Sequence, residues 1–160
     1  EAAFGTDEIS CEQLHRLDYV VGVLNEAMRL YPPFWMIDRV ALRDDVICDT
    51  EVPAGTTVVP YIYGVHHNEN IWKDPDRFDP TRFLEKIKRP PFSHIPFGGG
   101  PRVCIGQNMA IMQMLSAIVA IVRRYDFALE PDREINMRAM MILRPDGPIK
   151  MKFTRAAGAF

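Results

Sequence analysis

One of the three cysteines, Cys104, lies in the run Phe97-Gly98-Gly99-Gly100-Pro101-Arg102-Val103-Cys104-Ile105-Gly106, whose residue types suit a thiolate that binds a metal. A ligating sulfur must be held ionised, and a cysteine at the start of a helix gains from the helix dipole and from unpaired backbone N–H groups. Gly98, Gly99, Gly100 and Gly106 remove side chains around it, so backbone can pass close to a flat macrocycle and amides can point at the sulfur. Arg102 carries a planar fork able to reach the rim of a haem lying over the loop and to pair with a propionate. Phe97 can shield the sulfur from water. Cys104 is a candidate thiolate ligand for a haem iron, beside the plain alternative of a buried cysteine in a glycine-rich turn. Cys11 and Cys48 lack such surroundings and are read as ordinary cysteines.

The elements that must hold this loop follow from periodicity. Val20, Val21, Val23, Leu24, Ala27, Met28, Leu30 and Tyr31 recur at helical spacing, which predicts a helix from Asp18 to Tyr31 with Asp18 as N-cap and Pro32-Pro33 as its stop. β-Branched residues on either side of Pro53-Ala54-Gly55, in Val46-Ile47-Cys48 and Thr56-Thr57-Val58-Val59, predict a hairpin turning there. Between Cys104 and Tyr125, Met109, Met112, Leu115, Ile118, Val119 and Val122 form a broad apolar stripe on a long helix ending at Arg123-Arg124. Met140 to Leu143 and Ile149 to Phe153 flank Pro145-Asp146-Gly147-Pro148 and predict a second hairpin. Many of the 13 prolines fall between Pro75 and Pro101, so that stretch is expected to be an irregular meander. The expected class is α+β, mainly helical, as one partial domain over 1–155 with a disordered tail at 156–160.

With 160 residues, 48% hydrophobic, 25% charged and a net charge of -2, the composition is that of a folded globular chain and points away from nucleic-acid binding. Three scattered cysteines make no disulfide framework, and a reducing compartment fits. His15, His66, His67 and His94 have no metal-ligand spacing with one another and are read as non-metal. The start Glu1-Ala2-Ala3-Phe4 is neither a signal peptide nor a natural Met start, so the N-terminus is expected to be cut. No run approaches the roughly 18 apolar residues of a membrane span.

The pattern F-x-x-G-x-R-x-C-x-G, matched by Phe97, Gly100, Arg102, Cys104 and Gly106, resembles the haem-binding signature of the cytochrome P-450 superfamily, and Ala110 matches its extended form. Glu26 and Arg29 resemble that family's Glu-x-x-Arg pair, and a spacing of three puts both on one helix face. Pro75-Asp76-Arg77-Phe78 resembles its Pro-x-Arg-Phe element, and His66 and Trp72 its H-x(5)-W pattern. The resemblance implies a buried structural network of Glu26, Arg29 and Arg77, and a second propionate partner at Arg39. It also implies a substrate pocket lined by Phe34, Trp35, Met36, Ile37 and Met141.

The implied fold is the C-terminal part of the cytochrome P-450 fold, with haem b (iron protoporphyrin IX) as cofactor. The implied reaction is monooxygenation of a small lipophilic substrate, in which the thiolate favours O–O cleavage. Electrons would come from a ferredoxin or flavoprotein reductase, since no flavin- or nucleotide-binding fingerprint is present. Lys86, Lys88, Arg89, Arg102, Arg123 and Arg124 would offer that partner a positive face. The family's central helix with its acid–threonine pair has no counterpart here, so the chain reads as a fragment expected to be inactive alone. A haem-thiolate isomerase or dehydratase, or a truncated haem-binding fragment without activity, remain alternatives. The location would be cytoplasmic if bacterial, and membrane attachment stays open because an anchor would lie upstream of Glu1.

Overall fold

The structure is a computed structural model and describes residues 10–14, 16–84, 87–130 and 135–156. One helical turn, Cys11–Leu14 (α1), leads into the 13-residue helix Asp18–Leu30 (α2). Val20, Leu24 and Met28 stand one turn apart, so α2 turns a single apolar stripe toward the core. Tyr31 still donates its N–H to the Ala27 carbonyl, but Pro32 has none to give and the helix ends. Asp18 is not the N-cap: Leu17 takes that place without a side-chain bond, and Asp18 is the first helical residue. Its charge still lies at the favourable end of the helix dipole.

Four short strands follow, Arg39–Val40 (β1), Asp45–Ile47 (β2), Thr50–Val52 (β3) and Thr57–Val58 (β4). The tight reversal is at Cys48-Asp49, joining β2 to β3, and not at Pro53-Ala54-Gly55. Both turn residues have positive φ, 48° and 62°, the backbone hand that matches strand twist in a two-residue hairpin. Pro53-Ala54-Gly55 instead rounds an outer loop that pairs β1 with β4, Arg39 opposite Val58.

The helix Ile62–His66 (α3) opens the meander, and a 3-10 turn at Pro80–Phe83 carries it under α2. The Asp79 carboxylate caps that turn by accepting from the Thr81 N–H at 3.1 Å. The close approach needs Gly22, because a Cβ there would stand 2.9 Å from the Pro80 carbonyl oxygen. A second 3-10 turn, Gly100–Arg102, precedes the 16-residue helix Gln107–Val122 (α4). Leu14, Leu24, Met28 and the fully buried Leu115 form the core, with Ile111, Met112, Ile118 and Val119 packed against it. Met109 and Val122, expected on the same stripe, are exposed.

The last strands are Tyr125–Leu129 (β5), Met137–Ala139 (β6), Leu143–Pro145 (β7) and Met151–Arg155 (β8). They form two nested antiparallel pairs, β5 with β8 and β6 with β7. The expected pairing across Pro145–Pro148 is therefore replaced: Met140-Met141-Ile142 is the inner tip, and the Met151–Arg155 strand crosses back to β5. The α+β class stands, with each hairpin region resolved into two strand pairs. Of the tail assigned to 156–160, residues 157–160 lie outside the described residues. Among the described residues no helix is long and apolar enough to cross a membrane.

Candidate functional site

The cysteine loop is a narrow return closed by backbone bonds. Cys104 donates its N–H to the Phe97 carbonyl at 3.0 Å, and Gly98 donates to Ile95 at 2.9 Å. Gly98 and Gly100 have φ of +74° and +70°, the left-handed region that an L side chain resists. The Cys104 thiol is exposed two residues before Gly106, which caps α4. Phe97 turns its ring to the core beside α4. Arg102 closes the 3-10 turn in solvent, and Ala110 sits in the first turn of α4 with its N–H on the Gly106 carbonyl. The loop thus presents one thiol and a helix N-terminus to an open, glycine-lined face.

Behind it lies a buried ionic brace. Glu26 and Arg29 are both fully buried and meet in a two-pronged pair, Nε to Oε2 at 2.7 Å and Nη2 to Oε1 at 2.8 Å. Hydrogen bonds from Arg29 and from the Asp79 N–H outweigh desolvation and hold the Glu26 carboxyl below its ordinary range. Arg29 also donates Nη1 to the His66 carbonyl at 2.7 Å. The third side chain is Arg82, whose Nε reaches Glu26 Oε1 at 3.2 Å. Arg77, assigned this role from sequence, is exposed and supplies only its carbonyl, 3.4 Å from Arg29 Nη2.

The reason for that correction is a duplicated pattern. Pro80-Thr81-Arg82-Phe83 matches Pro-x-Arg-Phe as well as Pro75-Asp76-Arg77-Phe78 does, and only the second copy is the capped turn beneath α2. Arg82→Ala is accordingly expected to lower stability by about 1–3 kcal/mol, by leaving a buried carboxylate short of a partner. Arg77→Ala should change it by no more than about 0.5 kcal/mol. Urea midpoints of the two variants check the contrast.

His66 has a place in the H-x(5)-W pattern but no role legible in sequence; the structure buries it fully. Its Nδ1–H donates to the Arg29 carbonyl at 3.2 Å and its Nε2 accepts from the Ile95 N–H at 2.9 Å. Burial, helped by the stacked His94 ring 5.3 Å away, pushes its pKa down to about 3, and burial takes His94 down to about 4. The one available signal was the His66–Trp72 spacing, since both residues prove buried.

The strap Phe34–Ile37 runs from the β6–β7 tip to the loop. Trp35 Nε1 donates to the Met140 carbonyl, 2.6 Å away, and Ile37 lies against Gly98. Phe34, Met36 and Met141 are exposed, Met141 at 83%. Trp35 and Ile37 thus tie this apolar strap to the β6–β7 tip at one end and to Gly98 of the cysteine loop at the other.

The sequence profile of the family described as Cytochrome P450 matches residues 1–153. The chain belongs to the cytochrome P450 family. It is 41% identical over 139 residues to cytochrome P450 734A5 of Oryza sativa subsp. japonica, covering 84% of this chain and 26% of that protein. It is 35% identical over 145 residues to cytochrome P450 3A12 of Canis lupus familiaris, covering 88% and 29%. Among solved structures, retinoic acid-bound cyanobacterial CYP120A1 superposes with a TM-score of 0.90 at 29% identity, over 96% of this chain and 36% of that one. The chain thus spans less than a third of the curated relatives named here.

Haem is the cofactor of the cytochrome P450 family, and two groups of residues assigned from the resemblance can be placed. Arg39 is exposed on β1, with Nη1 on its neighbour's carbonyl at Asp38. Of the expected positive face, Lys86 lies outside the described residues, and Arg89 turns inward over Trp72 at 4.8 Å. Arg102, Arg123 and Arg124 remain exposed, with Arg124 Nη1 on the Ala120 carbonyl at the end of α4.

Proposed function

We propose that Cys104 is the axial thiolate of a haem b iron, and that the chain is the thiolate-side portion of a monooxygenase acting on a small lipophilic substrate. The observation that carries this reading is the exposed thiol at the mouth of a glycine loop that opens a long helix. The fit to a flat group is supported by open space: a Cβ on Gly100 would meet nothing within 4 Å, and Ile105 beside the cysteine is fully exposed. Haem, when bound, supplies the one-electron and dioxygen chemistry that no side chain here can supply.

The protein's own part is positioning. The first amides of α4 and the dipole behind them favour the ionised sulfur. Gly98, Gly100 and Gly106 would keep side chains off the macrocycle and Arg102 and Arg39 would hold its propionates, while Phe97, expected to shield the sulfur, instead anchors the loop in the core beside α4. Phe34, Trp35, Met36, Ile37 and Met141 form the apolar wall met by substrate. A ferredoxin or flavoprotein reductase delivers electrons on the thiolate side, drawn by exposed cations among Lys88, Arg102, Arg123 and Arg124. No segment of this sequence carries the family's acid–threonine helix, so the chain by itself is expected to bind haem without oxidising substrate.

The test is spectroscopic. The chain is loaded with haem, reduced under carbon monoxide and compared with Cys104→Ala. The strongly red-shifted Soret band of a thiolate–carbonyl complex is expected in the parent and lost in the variant. A spectrum that Cys104→Ala leaves unchanged overturns the assignment.

A further inference from the structure

We infer that His66 is a positioning residue for the cysteine loop, a hydrogen-bonded bridge that ties the loop's first turn to Arg29 of the buried ion pair. The inference rests on the haem-thiolate reading above and adds to it a residue that touches neither the sulfur nor the macrocycle.

Three bonds make the bridge. The His66 carbonyl accepts from Arg29 Nη1 at 2.7 Å, and its Nδ1–H donates back to the Arg29 carbonyl at 3.2 Å, so His66 is held to Arg29 through both main chain and side chain. Its Nε2 accepts from the Ile95 N–H at 2.9 Å. Ile95 in turn accepts the Gly98 N–H at 2.9 Å, and Phe97 accepts the Cys104 N–H at 3.0 Å. Ile95, the residue whose carbonyl carries the loop's first turn, is therefore held at its N–H by one imidazole nitrogen.

Only the neutral ring with its proton on Nδ1 satisfies both partners, because a proton on Nε2 would point at the Ile95 N–H. The ring that faces it is fully buried, so an Ile95 amide deprived of Nε2 would lose its acceptor in a part-buried place. A second link runs alongside: His94 Nε2–H donates to the Asn25 carbonyl at 3.2 Å and binds the same segment to α2. That link holds the approach to the loop, whereas His66 holds Ile95 itself.

Two isosteric variants separate positioning from bulk packing. In His66→Gln the longer amide reaches where Nε2 stood and can still accept from Ile95. In His66→Asn the shorter one reaches only the Nδ1 position and cannot. Two readouts are taken on the full chain: hydrogen exchange of the Ile95 amide without haem, and the share of thiolate-type carbonyl spectrum with haem.

His66→Asn is expected to speed Ile95 exchange about tenfold and to lower the ratio of thiolate-type to other carbonyl spectra about tenfold, the scale of one donor left without its acceptor. His66→Gln should stay within about twofold of the parent in both, as retention of one acceptor predicts. The inference is overturned if His66→Asn matches the parent in either readout, or if His66→Gln loses both as fully as His66→Asn. Should His66→Asn not fold, His66→Gln decides alone: slow exchange with the thiolate band retained supports the bridge, and loss of either refutes it. A parent chain without the thiolate band refutes the haem reading and this inference with it, while a band kept in the parent and in His66→Asn refutes this inference alone.

Discussion

Glu26→Ala is expected to destabilise the fold by about 3–5 kcal/mol, the usual consequence of removing one member of a buried ion pair. Both Glu26 and Arg29 have no exposed surface. Without the carboxylate, the Arg29 guanidinium keeps only carbonyl partners at His66 and Arg77, and the Asp79 N–H loses its acceptor. Arg82 loses its anionic partner in the same step. A loss of that size is a large part of the roughly 5–15 kcal/mol that holds a domain together. The control is a double change to apolar residues at 26 and 29, expected to cost less than Glu26→Ala because no charge is then stranded. Urea midpoints of the parent, single and double variants check both statements, and a single-variant loss under about 1 kcal/mol would place the pair with exposed ones.

Acidification from pH 7 to pH 4 is expected to remove stability at up to about 1.4 kcal/mol per pH unit for each of His66 and His94. Burial lowers His66 to about 3 and His94 to about 4. The unfolded chain takes up these protons once the pH falls below about 6.5, while the folded chain still refuses them. The stabilisation is therefore complete above about pH 6.5 and is lost as pH falls toward the folded values. Glu26 works in the same direction at lower pH, because its carboxyl is held down in the fold and must be protonated as the pH drops past its ordinary value. The physical cost is visible at His66, where a second ring proton would face the Ile95 N–H. Midpoints of urea unfolding at pH 7.5, 6, 5 and 4 measure the effect, and a flat profile down to pH 4.5 would contradict it.

The local geometry of the cysteine loop and of the Glu26–Arg29 pair was more legible than the frame around them. Phe97, Gly100, Arg102, Cys104 and Gly106 carry their meaning in residue type and fixed spacing, and Glu26 with Arg29 carries it in one helical turn. What could not be read was long-range choice. Arg77 and Arg82 stand in the same local pattern, and the decision between them is made by the Asp79 cap and by the bare Cα of Gly22 beneath Pro80. Cys48-Asp49 is an unusual pair for a left-handed turn, whereas Pro53-Ala54-Gly55 looks like a turn and rounds only the outer loop. The closing pair of β5 with β8 joins residues 22 or more positions apart, from Leu129↔Met151 outward, a distance that no local pattern encodes. The role of His66 was hidden for the same reason, since its partners sit on two segments remote in sequence.

Trp72 is buried with guanidinium groups near both its ring and its neighbours, Arg29 at 5.2 Å and Arg89 at 4.8 Å from the centroid. The chain has only one other tryptophan, Trp35, half-buried on the strap beside the β6–β7 tip. Two indoles in such different surroundings make the protein its own optical probe. Emission from Trp72 reports whether the ionic brace is closed, and emission from Trp35 reports the state of the apolar strap, so loosening at one place can be told from loosening at the other without attaching a dye.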